Sequence, residues 1–383
     1  MDIHELKADM IEYSQSIGID KIGIASPDVF TELKERLRAQ QENGYQSGFE
    51  KGTVDERTQP QNLVPEAKSI ISIALAYPSK LQDAPQSVKG DRRGLFCRAS
   101  WGQDYHDVLR DRLNKLAEYL EEKYPGFVFR SMVDTGELSD RAVAERAGIG
   151  FTGKNTNLIT EEFGSYVYLG EMITNIPFSP DDPVEDSCGD CNICVDACPT
   201  GALIQGGQLN AQKCIAFLTQ TKGFLPDEYR GVIGNRLYGC DTCQTVCPKN
   251  KRKRNLIHEE FQPDPEKVKP KLKPLLSISN REFKETYGEM AGSWRGKKPI
   301  QRNAILALAH FKDDSANDDL VRLMKEDPRP VIRGTAAWAL GKIGNPDAYD
   351  SIMLAKQKEN DAEVIAEMEK GIKLLEKEPK QLS

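Results

Sequence analysis

Three features of the sequence predict an α+β protein built from three parts. Alternating strand and helix patterns run through the first 180 of its 383 residues. Eight of the nine cysteines lie between residues 188 and 247, and an alanine-rich helical pattern recurs nearer the C-terminus. We therefore expect an N-terminal α/β domain over residues 1–180, a cysteine-rich domain over 181–250, and a basic linker with helical repeats over 251–383.

The N-terminal domain is predicted from hydrophobic period and run length. Apolar residues at helical spacing end near Gly18, a residue type that commonly terminates helices. The predicted elements are a helix over 3–17, a buried strand over 70–77, a helix over 104–123, a strand over 127–133, a helix over 140–147 and a strand over 166–173. The strand over 127–133 delivers Asp134 at its end.

The cysteines form two runs with the spacing of bacterial ferredoxins. The first run reads C-x2-C-x2-C-x3-C-P and the second reads C-x2-C-x3-C-P, with Leu237 where a leading cysteine is expected. In this motif the last cysteine of a run ligates the other cluster. The spacing predicts two [4Fe–4S] clusters, with Cys214 supplying the absent ligand. The first cluster is assigned to Cys188, Cys191, Cys194 and Cys247, and the second to Cys198, Cys214, Cys240 and Cys243. Zinc, which paired C-x2-C motifs also bind, is the alternative.

Two further features of the N-terminal half are less specific. Cys97 lies far from both runs and taken alone is typical of a small buried apolar residue. The glycine-rich stretch that ends in Gly153-Lys154 lacks the P-loop spacing, because Asn155 stands where a magnesium-binding hydroxyl is required. We interpret this stretch as a close backbone approach to a large cofactor.

The C-terminal third is predicted to be helical and repetitive. The segment that begins at Arg302 recurs at Arg333, an offset of 31 residues that favours stacked helix pairs of the HEAT type. A dense cationic run precedes these repeats and comprises Lys249, Lys251, Arg252, Lys253 and Arg254. Such a run is often only a solvated segment, but beside Arg302, Arg322 and Arg333 it favours a phosphate-binding surface.

Composition excludes some classes of protein and favours others. The formal net charge of −7 argues against nucleic acid as a partner unless a local basic patch binds it. No apolar run approaches the roughly 20 residues of a membrane span. The first residues lack the pattern of a signal peptide, so we expect a cytoplasmic protein with reduced thiols and no membrane association.

The chain resembles the epoxyqueuosine reductase family over essentially its whole length. The resemblance rests on both cysteine runs, the helical repeats and five short motifs. These motifs are Glu56–Pro60, Asp104-Tyr105-His106, Val133–Gly136, Ala147–Gly150 and Lys154–Thr156. The family comprises cobalamin-dependent iron–sulfur enzymes of tRNA modification and is related to the corrinoid reductive dehalogenases.

The resemblance implies a base-off cob(II)alamin in the N-terminal domain, reduced through the two clusters. It implies that epoxyqueuosine at the tRNA wobble position is reduced to queuosine, with Asp134 as the proton donor to the epoxide oxygen. For that role Asp134 must stay protonated, which requires burial against apolar surface. The cofactor contacts expected besides Asp134 are Arg57, Cys97, Lys154, Asn157, Leu158 and Asp241.

The substrate is expected to contact His106, and the tRNA backbone to contact Lys251, Arg252, Lys253 and Arg254 together with the helical repeats. The resemblance also implies a low-potential electron donor, such as flavodoxin or ferredoxin, and a monomer. Two other functions stay open from sequence: a reductive dehalogenase, and a non-catalytic ferredoxin-type electron carrier. The basic run and the helical repeats favour the tRNA-modifying enzyme over both.

Overall fold

The structure is a computed structural model that describes residues 2–204, 207–253 and 255–377. Its α-helices are α1 (Ile3–Ser16), α2 (Thr31–Glu42), α3 (Tyr105–Lys123), α4 (Asp140–Arg146), α5 (Ile193–Asp196), α6 (Ile215–Leu218), α7 (Asp227–Arg230), α8 (Thr242–Thr245), α9 (Pro265–Val268), α10 (Leu272–Ser277), α11 (Asn280–Tyr287), α12 (Lys297–His310), α13 (Asn317–Glu326), α14 (Pro330–Ile343), α15 (Ala348–Lys356) and α16 (Ala362–Lys377). Its strands are β1 (Lys21–Ala25), β2 (Ser69–Ala76), β3 (Leu95–Phe96), β4 (Phe129–Met132), β5 (Phe151–Thr152), β6 (Leu158–Ile159), β7 (Val167–Thr174), β8 (Leu203–Ile204), β9 (Gln208–Leu209) and β10 (Arg236–Tyr238).

The main sheet has the strand order β1-β2-β7-β4, and each neighbouring pair is antiparallel. Every residue of β2 is buried, as its continuous apolar run predicts for a central strand. The helices and strands predicted for the N-terminal part are all found, although β4 is shorter than the predicted strand over 127–133.

Helices cover both faces of this sheet. Leu109, Leu113 and Leu116 of α3 pack with Leu6 and Met10 of α1 in one buried apolar cluster on the first face. On the other face, Val143 and Ala144 of α4 pack in a second apolar cluster, which includes Leu158 of β6. The ends of β4 and α3 therefore lie beside a well-packed core, which holds the loops at those ends in place.

The chain divides into two compact units. The first unit comprises Met1–Lys80, Arg98–Cys214 and Asp241–Gln262, and the second comprises Leu81–Cys97, Ile215–Cys240 and Pro263–Ser383. Each unit is therefore assembled from segments that are distant in sequence. The sequence-based boundaries at residues 180 and 250 stay a prediction.

The second unit is built around the repeated helices. Helices α12 and α14 carry the two copies of the alanine-rich pattern, and most of their residues are buried. Helices α14 and α16 approach so closely that a Cβ atom on Gly341 would collide with the backbone of Gly371. The predicted α+β class with C-terminal helical repeats is confirmed.

Among the described residues, the helices are all too short or too polar to traverse a lipid bilayer.

Candidate active site

Asp134 lies on the loop between β4 and α4. Its backbone adopts a left-handed conformation with φ of 52°, which aspartate tolerates better than most residues. Its N–H donates to Oδ2 of Asp140 at 2.7 Å, and this bond fixes the loop against the start of α4. The side chain of Asp134 is 60% exposed. The expected burial against apolar surface is therefore not found, because the left-handed turn carries the carboxylate out of the core.

His106 lies beside Asp134, at the start of α3. Asp104 caps this helix and accepts two hydrogen bonds from His106, one from its N–H at 3.0 Å and one from Nδ1 at 2.7 Å. Nε2 of His106 lies 3.4 Å from Oδ2 of Asp134, an ion-pair distance. Tyr105 stacks on the imidazole with its ring centroid at 4.2 Å. The ring is thus fixed in position between two carboxylates.

The two carboxylates keep a proton on His106. Burial of the imidazole opposes its charge, but the hydrogen bond with Asp104 and the facing carboxylate of Asp134 raise the pKa of His106 to about 9. The contact with His106 lowers the pKa of Asp134. In this conformation the proton of the pair is therefore on His106, whereas the sequence analysis placed it on Asp134.

Two further acids lie behind this pair. Glu171 on β7 is fully buried, and within the described part of the chain its carboxyl oxygens have no hydrogen-bond partner. Burial, together with the charge of Asp140, raises the pKa of Glu171 well above its ordinary value. Burial and the charge of Asp134 raise the pKa of Asp140 to about 6. Asp134 therefore carries its negative charge beside acids that hold their protons to higher pH.

Four cysteines of the first unit line one cavity of about 100 Å³: Cys188, Cys191, Cys194 and Cys247. They are the four residues assigned to the first cluster from their spacing. Burial raises the thiol pKa of Cys188 and Cys194, so a bound cation would favour their thiolate forms. Among the described residues, no three His, Cys, Asp or Glu side chains form a group suited to a single metal ion.

A hairpin formed by β5 and β6 contributes the other wall of this cavity. Lys154 lines the cavity, and its Nζ donates to the carbonyl of Gly189 at 2.7 Å and to Oδ1 of Asn192 at 3.2 Å. The predicted cofactor contact Lys154 thus lies against the loop that carries Cys188 and Cys191.

The glycines before this hairpin are required by the protein's own backbone. A Cβ atom on Gly150 would collide with the carbonyl oxygen of Ile159 in β6. Gly148 has φ of 70°, and a Cβ there would lie 2.5 Å from the carbonyl oxygen of Asp182. These two contacts explain the glycines without the large cofactor inferred from sequence.

Two other expected cofactor contacts also lie on the hairpin. Nδ2 of Asn157 lies 4.0 Å from Sγ of Cys243, so Asn157 faces a proposed ligand of the second cluster. Leu158 is 3% exposed and packs in the core between the sheet and α4. A role for either residue in binding cobalamin stays a prediction.

The remaining expected cofactor contacts lie apart from the hairpin. The half-buried guanidinium of Arg57 has no hydrogen bond or ion pair among the described residues, so it is free to bind a ligand. Asp241 accepts from the backbone N–H and from Nη1 of Arg98, both at 3.0 Å, and its side chain is only 9% exposed. Cys97 donates its N–H to the carbonyl of Tyr238 and packs against Gly239.

Sγ of Cys198, a proposed ligand of the second cluster, lies among backbone amides. Burial opposes its ionisation, but hydrogen bonds from Leu203, Thr200 and Ala202 lower the thiol pKa of Cys198. Backbone amides that favour a thiolate also suit a thiolate bound to iron.

Some cations of the basic run are exposed, whereas another is hydrogen-bonded to the protein. Lys251 and Arg252 are exposed, whereas Nζ of Lys253 donates to the carbonyl of Glu161. Arg254 lies outside the described residues. The side chains of Lys251 and Arg252 are therefore available to contact phosphate groups.

Two arginines of the helical repeats are not available to phosphate. Arg302 is 1% exposed and donates to the carbonyls of Leu218, Thr221 and Gly223. Arg333 forms a two-point ion pair with Glu359. Their expected part in a phosphate-binding surface is therefore wrong, because both are already bound to acceptors of the protein. Arg322 is half exposed and pairs with Asp319 at 2.8 Å.

Asp104 and Asn155 appear in the sequence only as members of short motifs, and no role at the site was predicted for either. The spacing Asp-x-His at a helix start is a signal for Asp104, since a capping carboxylate at that position can also reach the imidazole. Asn155 gives no such signal, because its position beside four distant cysteines depends on the fold.

Comparison with known families gives three matches along the chain. A model described as epoxyqueuosine reductase QueG, DUF1730, matches residues 57–135. A 4Fe-4S double cluster binding domain matches residues 187–250, and HEAT repeats match residues 295–373. The chain thus contains an iron–sulfur double-cluster domain, and the HEAT type predicted for the repeats is confirmed.

Similar proteins match over nearly the whole chain. The chain is 68% identical over 375 residues to the epoxyqueuosine reductase of Bacillus cereus, covering 98% of this chain and 99% of that protein. A crystal structure of epoxyqueuosine reductase with a tRNA-Tyr epoxyqueuosine-modified stem loop is 64% identical and superposes with a TM-score of 0.97, covering 98% and 100% of the two chains.

A third relative is the epoxyqueuosine reductase of Bacillus subtilis, whose structure is described as having the Asp134 catalytic loop swung out of the active site. It is 63% identical to this chain and superposes with a TM-score of 0.96, covering 98% of this chain and 100% of that one. With such identity over nearly its full length, the chain belongs to the epoxyqueuosine reductase family of oxidoreductases.

Proposed function

We propose that this protein reduces epoxyqueuosine in tRNA to queuosine, with electrons that pass through two iron–sulfur clusters to cobalamin. One observation carries the proposal: the first unit holds both a cavity lined by four cysteines and the proton-bearing pair of His106 and Asp134. Conversion of an epoxide to an alkene consumes two electrons and two protons and releases water. A redox centre and an acid in one unit meet that requirement.

The pair of His106 and Asp134 is proposed to supply the proton to the epoxide oxygen. An alkoxide is a poor leaving group near neutral pH, so the oxygen must be protonated as the carbon–oxygen bond breaks. The exposed carboxyl of Asp134 is the part of the pair that can reach a substrate. His106, which Asp104 keeps oriented and protonated, can pass its proton to Asp134, which then donates it to the epoxide oxygen.

The residues present fit cobalamin in two respects. The unpaired guanidinium of Arg57 is suited to a corrin amide or a phosphate group. Of the three described histidines of the first unit, His258 is bound to Asp20 at 2.7 Å, His106 is held by Asp104 and His4 is exposed on α1, so we propose a base-off form without a histidine ligand. When bound, cobalamin supplies a cobalt centre that delivers the two electrons. Contacts from Cys97, Lys154, Asn157, Leu158 and Asp241 are part of this proposal.

The ligand sets of the clusters are proposed from the spacing. The first set is supported by the single cavity that its four cysteines line. The second set, Cys198, Cys214, Cys240 and Cys243, follows from the sequence motif alone. A low-potential donor such as flavodoxin or ferredoxin is proposed to reduce them.

The exposed cations Lys251 and Arg252 are proposed to contact tRNA phosphates. A related protein of this family has been crystallised with an epoxyqueuosine-modified stem loop, which supports tRNA as the substrate. The wobble base of such a loop is unstacked and can enter a pocket. We place the reaction in the cytoplasm and propose that the protein acts as a monomer.

The test is anaerobic reconstitution with iron, sulfide and cobalamin, followed by reaction with epoxyqueuosine-containing tRNA under a low-potential reductant. Nucleosides are then measured by mass spectrometry. We expect queuosine only when cobalamin is present. Asp134→Asn is expected to lower kcat by about 10²–10⁴-fold, the usual contribution of a general acid. Asp107→Asn is the matched control, because this exposed carboxylate near the start of α3 pairs only with Arg110 among the described residues.

Equal activity of wild type and Asp134→Asn would contradict the assigned acid. Cobalamin binding with unchanged epoxyqueuosine would overturn the substrate, and halogenated organics would then be tested as substrates of a reductive dehalogenase.

A further inference from the structure

Asn155 is a buried amide on the turn of the β5–β6 hairpin. The residue as a whole is 3% exposed. The turn around it is closed by two backbone hydrogen bonds, from Gly153 to Asn157 at 2.9 Å and from Thr156 to Gly153 at 2.8 Å. Oδ1 of Asn155 accepts from the N–H of Asn157 at 3.2 Å. Because the N–H of Asn157 is a donor, the side-chain atom that it contacts must be the amide oxygen. The other terminal atom of the Asn155 side chain is therefore Nδ2.

Nδ2 of Asn155 is buried and, in the part of the chain that the structure describes, has no hydrogen-bond partner. A buried amide donor without an acceptor is unfavourable, because it has lost its hydrogen bonds to water, so such groups are rare unless a bound group supplies the acceptor. Asn155 lines the cavity of about 100 Å³ that Cys188, Cys191, Cys194 and Cys247 also line. The unused donor is therefore located beside the proposed position of the first iron–sulfur cluster.

We propose that Nδ2 of Asn155 donates a hydrogen bond to a sulfur atom of this cluster and thereby raises its reduction potential. The inference rests on the assignment of the first cluster to these four cysteines. A hydrogen bond to sulfur stabilises the more negative, reduced cluster more than the oxidised one, because the added electron raises the charge on sulfur. Asn155 is thus a positioning and tuning residue that does not touch the substrate.

The test compares a variant that removes only the Nδ2 donor with a variant that also removes the hydrogen bond from Asn157 to Oδ1. Asn155→Asp keeps an oxygen to accept from Asn157 and removes the Nδ2 donor. Asn155→Ala removes both groups. Asn345→Ala is the matched control, since Oδ1 of Asn345 accepts from the N–H of Asp347 at 3.0 Å in the same kind of turn within the second unit. Each reconstituted full-length protein is titrated anaerobically with dithionite, and cluster reduction is followed by EPR.

In Asn155→Ala we expect the reduction equilibrium of one cluster to shift about tenfold toward the oxidised form, a fall of about 59 mV for a one-electron couple. Asn155→Asp is expected to shift it at least as far in the same direction, and Asn345→Ala to leave both clusters unchanged. Pulsed EPR of the reduced wild type with ¹⁵N-labelled asparagine should also reveal a nitrogen coupling that is lost in Asn155→Asp.

Unchanged potentials of both clusters in intact Asn155→Ala and Asn155→Asp would overturn this inference alone. If either variant loses a cluster on reconstitution, the nitrogen coupling is measured in wild type and in Asn157→Asp, because Nδ2 of Asn157 lies 4.0 Å from Sγ of Cys243. A coupling that persists in Asn157→Asp supports the inference, and its absence overturns it. A wild type that forms no [4Fe–4S] signal would overturn both the inference and the cluster assignment.

Discussion

At the scale of single residues, the site consists of charges placed so that one proton has a defined location. Asp104 and Asp134 lie on either side of His106, and only the latter carboxylate is exposed enough to meet a substrate. A helix cap supplies the first carboxylate and a left-handed turn supplies the second. In the proposed function the acid is therefore a pair of residues, of which Asp134 would deliver the proton and His106 would store it.

This arrangement predicts the pH dependence of the reaction. The pKa of His106 is raised to about 9, so the pair holds its proton at neutral pH and loses it as the pH rises through that value. We expect kcat to be level between pH 7 and 8 and to fall about tenfold per pH unit above about 9. The measurement is single-turnover conversion of epoxyqueuosine tRNA across this range.

His106→Gln provides the comparison. It cannot store a proton, so kcat at pH 8 is expected to fall about 10²-fold and the decline near pH 9 to disappear. A profile of the His106→Gln variant that matches wild type would contradict storage by His106.

The sequence predicts some of these residues well and others not at all. The strand and helix that flank Asp134 follow from local periodicity, and the cysteine spacing groups Cys247 with residues more than fifty positions earlier. The exposure of Asp134 depends on one left-handed residue, which the sequence does not reveal. Arg302 was misjudged because charge alone does not say whether a cation meets solvent or buried carbonyl oxygens.

At the scale of elements, the short β5–β6 hairpin contributes residues both to the cysteine-lined cavity and to the core. It carries Lys154 and Asn155 into the cysteine cavity and Leu158 into the core. Its entry is packed so tightly that Gly150 has no room for a side chain against Ile159. A change in the hairpin should therefore disturb both stability and the cavity.

Gly150→Ala is expected to lower the free energy of unfolding by about 1–3 kcal/mol, because the added methyl group must displace the backbone of β6. Gly231→Ala is the matched control, since a Cβ atom there meets nothing within 4 Å and the residue has no positive φ. Urea unfolding of both variants, followed by far-UV circular dichroism, measures the difference. A loss of similar size in the two variants would show that the packing at Gly150 is not the cause.

At the scale of the whole molecule, long-range polar contacts unite segments that are distant in sequence. Within the second unit, Nη1 and Nη2 of Arg230 bind the two carboxylate oxygens of Glu367 at 2.5 and 2.9 Å, and both residues are buried. Arg302 similarly joins α12 to the segment that follows α6. The HEAT-like helices therefore fold together with residues 215–240 rather than as a separate module.

Arg230→Met is expected to destabilise the protein by about 3 kcal/mol, because it leaves the carboxylate of Glu367 buried with only Lys370 as a partner among the described residues. The double variant Arg230→Met/Glu367→Gln should recover most of that loss. Arg281→Met, which breaks the exposed pair with Glu285, is the control and should change stability by less than about 0.5 kcal/mol. Thermal unfolding of wild type, these three variants and the single variant Glu367→Gln checks all three expectations, and additive losses in the double variant would contradict a direct pair.

The pairing of Arg230 with Glu367 can form only late in synthesis, because Glu367 lies near the C-terminal end of the second unit. These residues are 137 positions apart, so a ribosome that adds about 5–20 residues per second needs about 7–27 s to supply the second partner. During that interval residues 215–240 have been synthesised, but α16, which carries Glu367, has not. If Cys240 ligates the second cluster as proposed, delivery of iron and sulfide to it is therefore expected to follow translation, as a step on the finished chain.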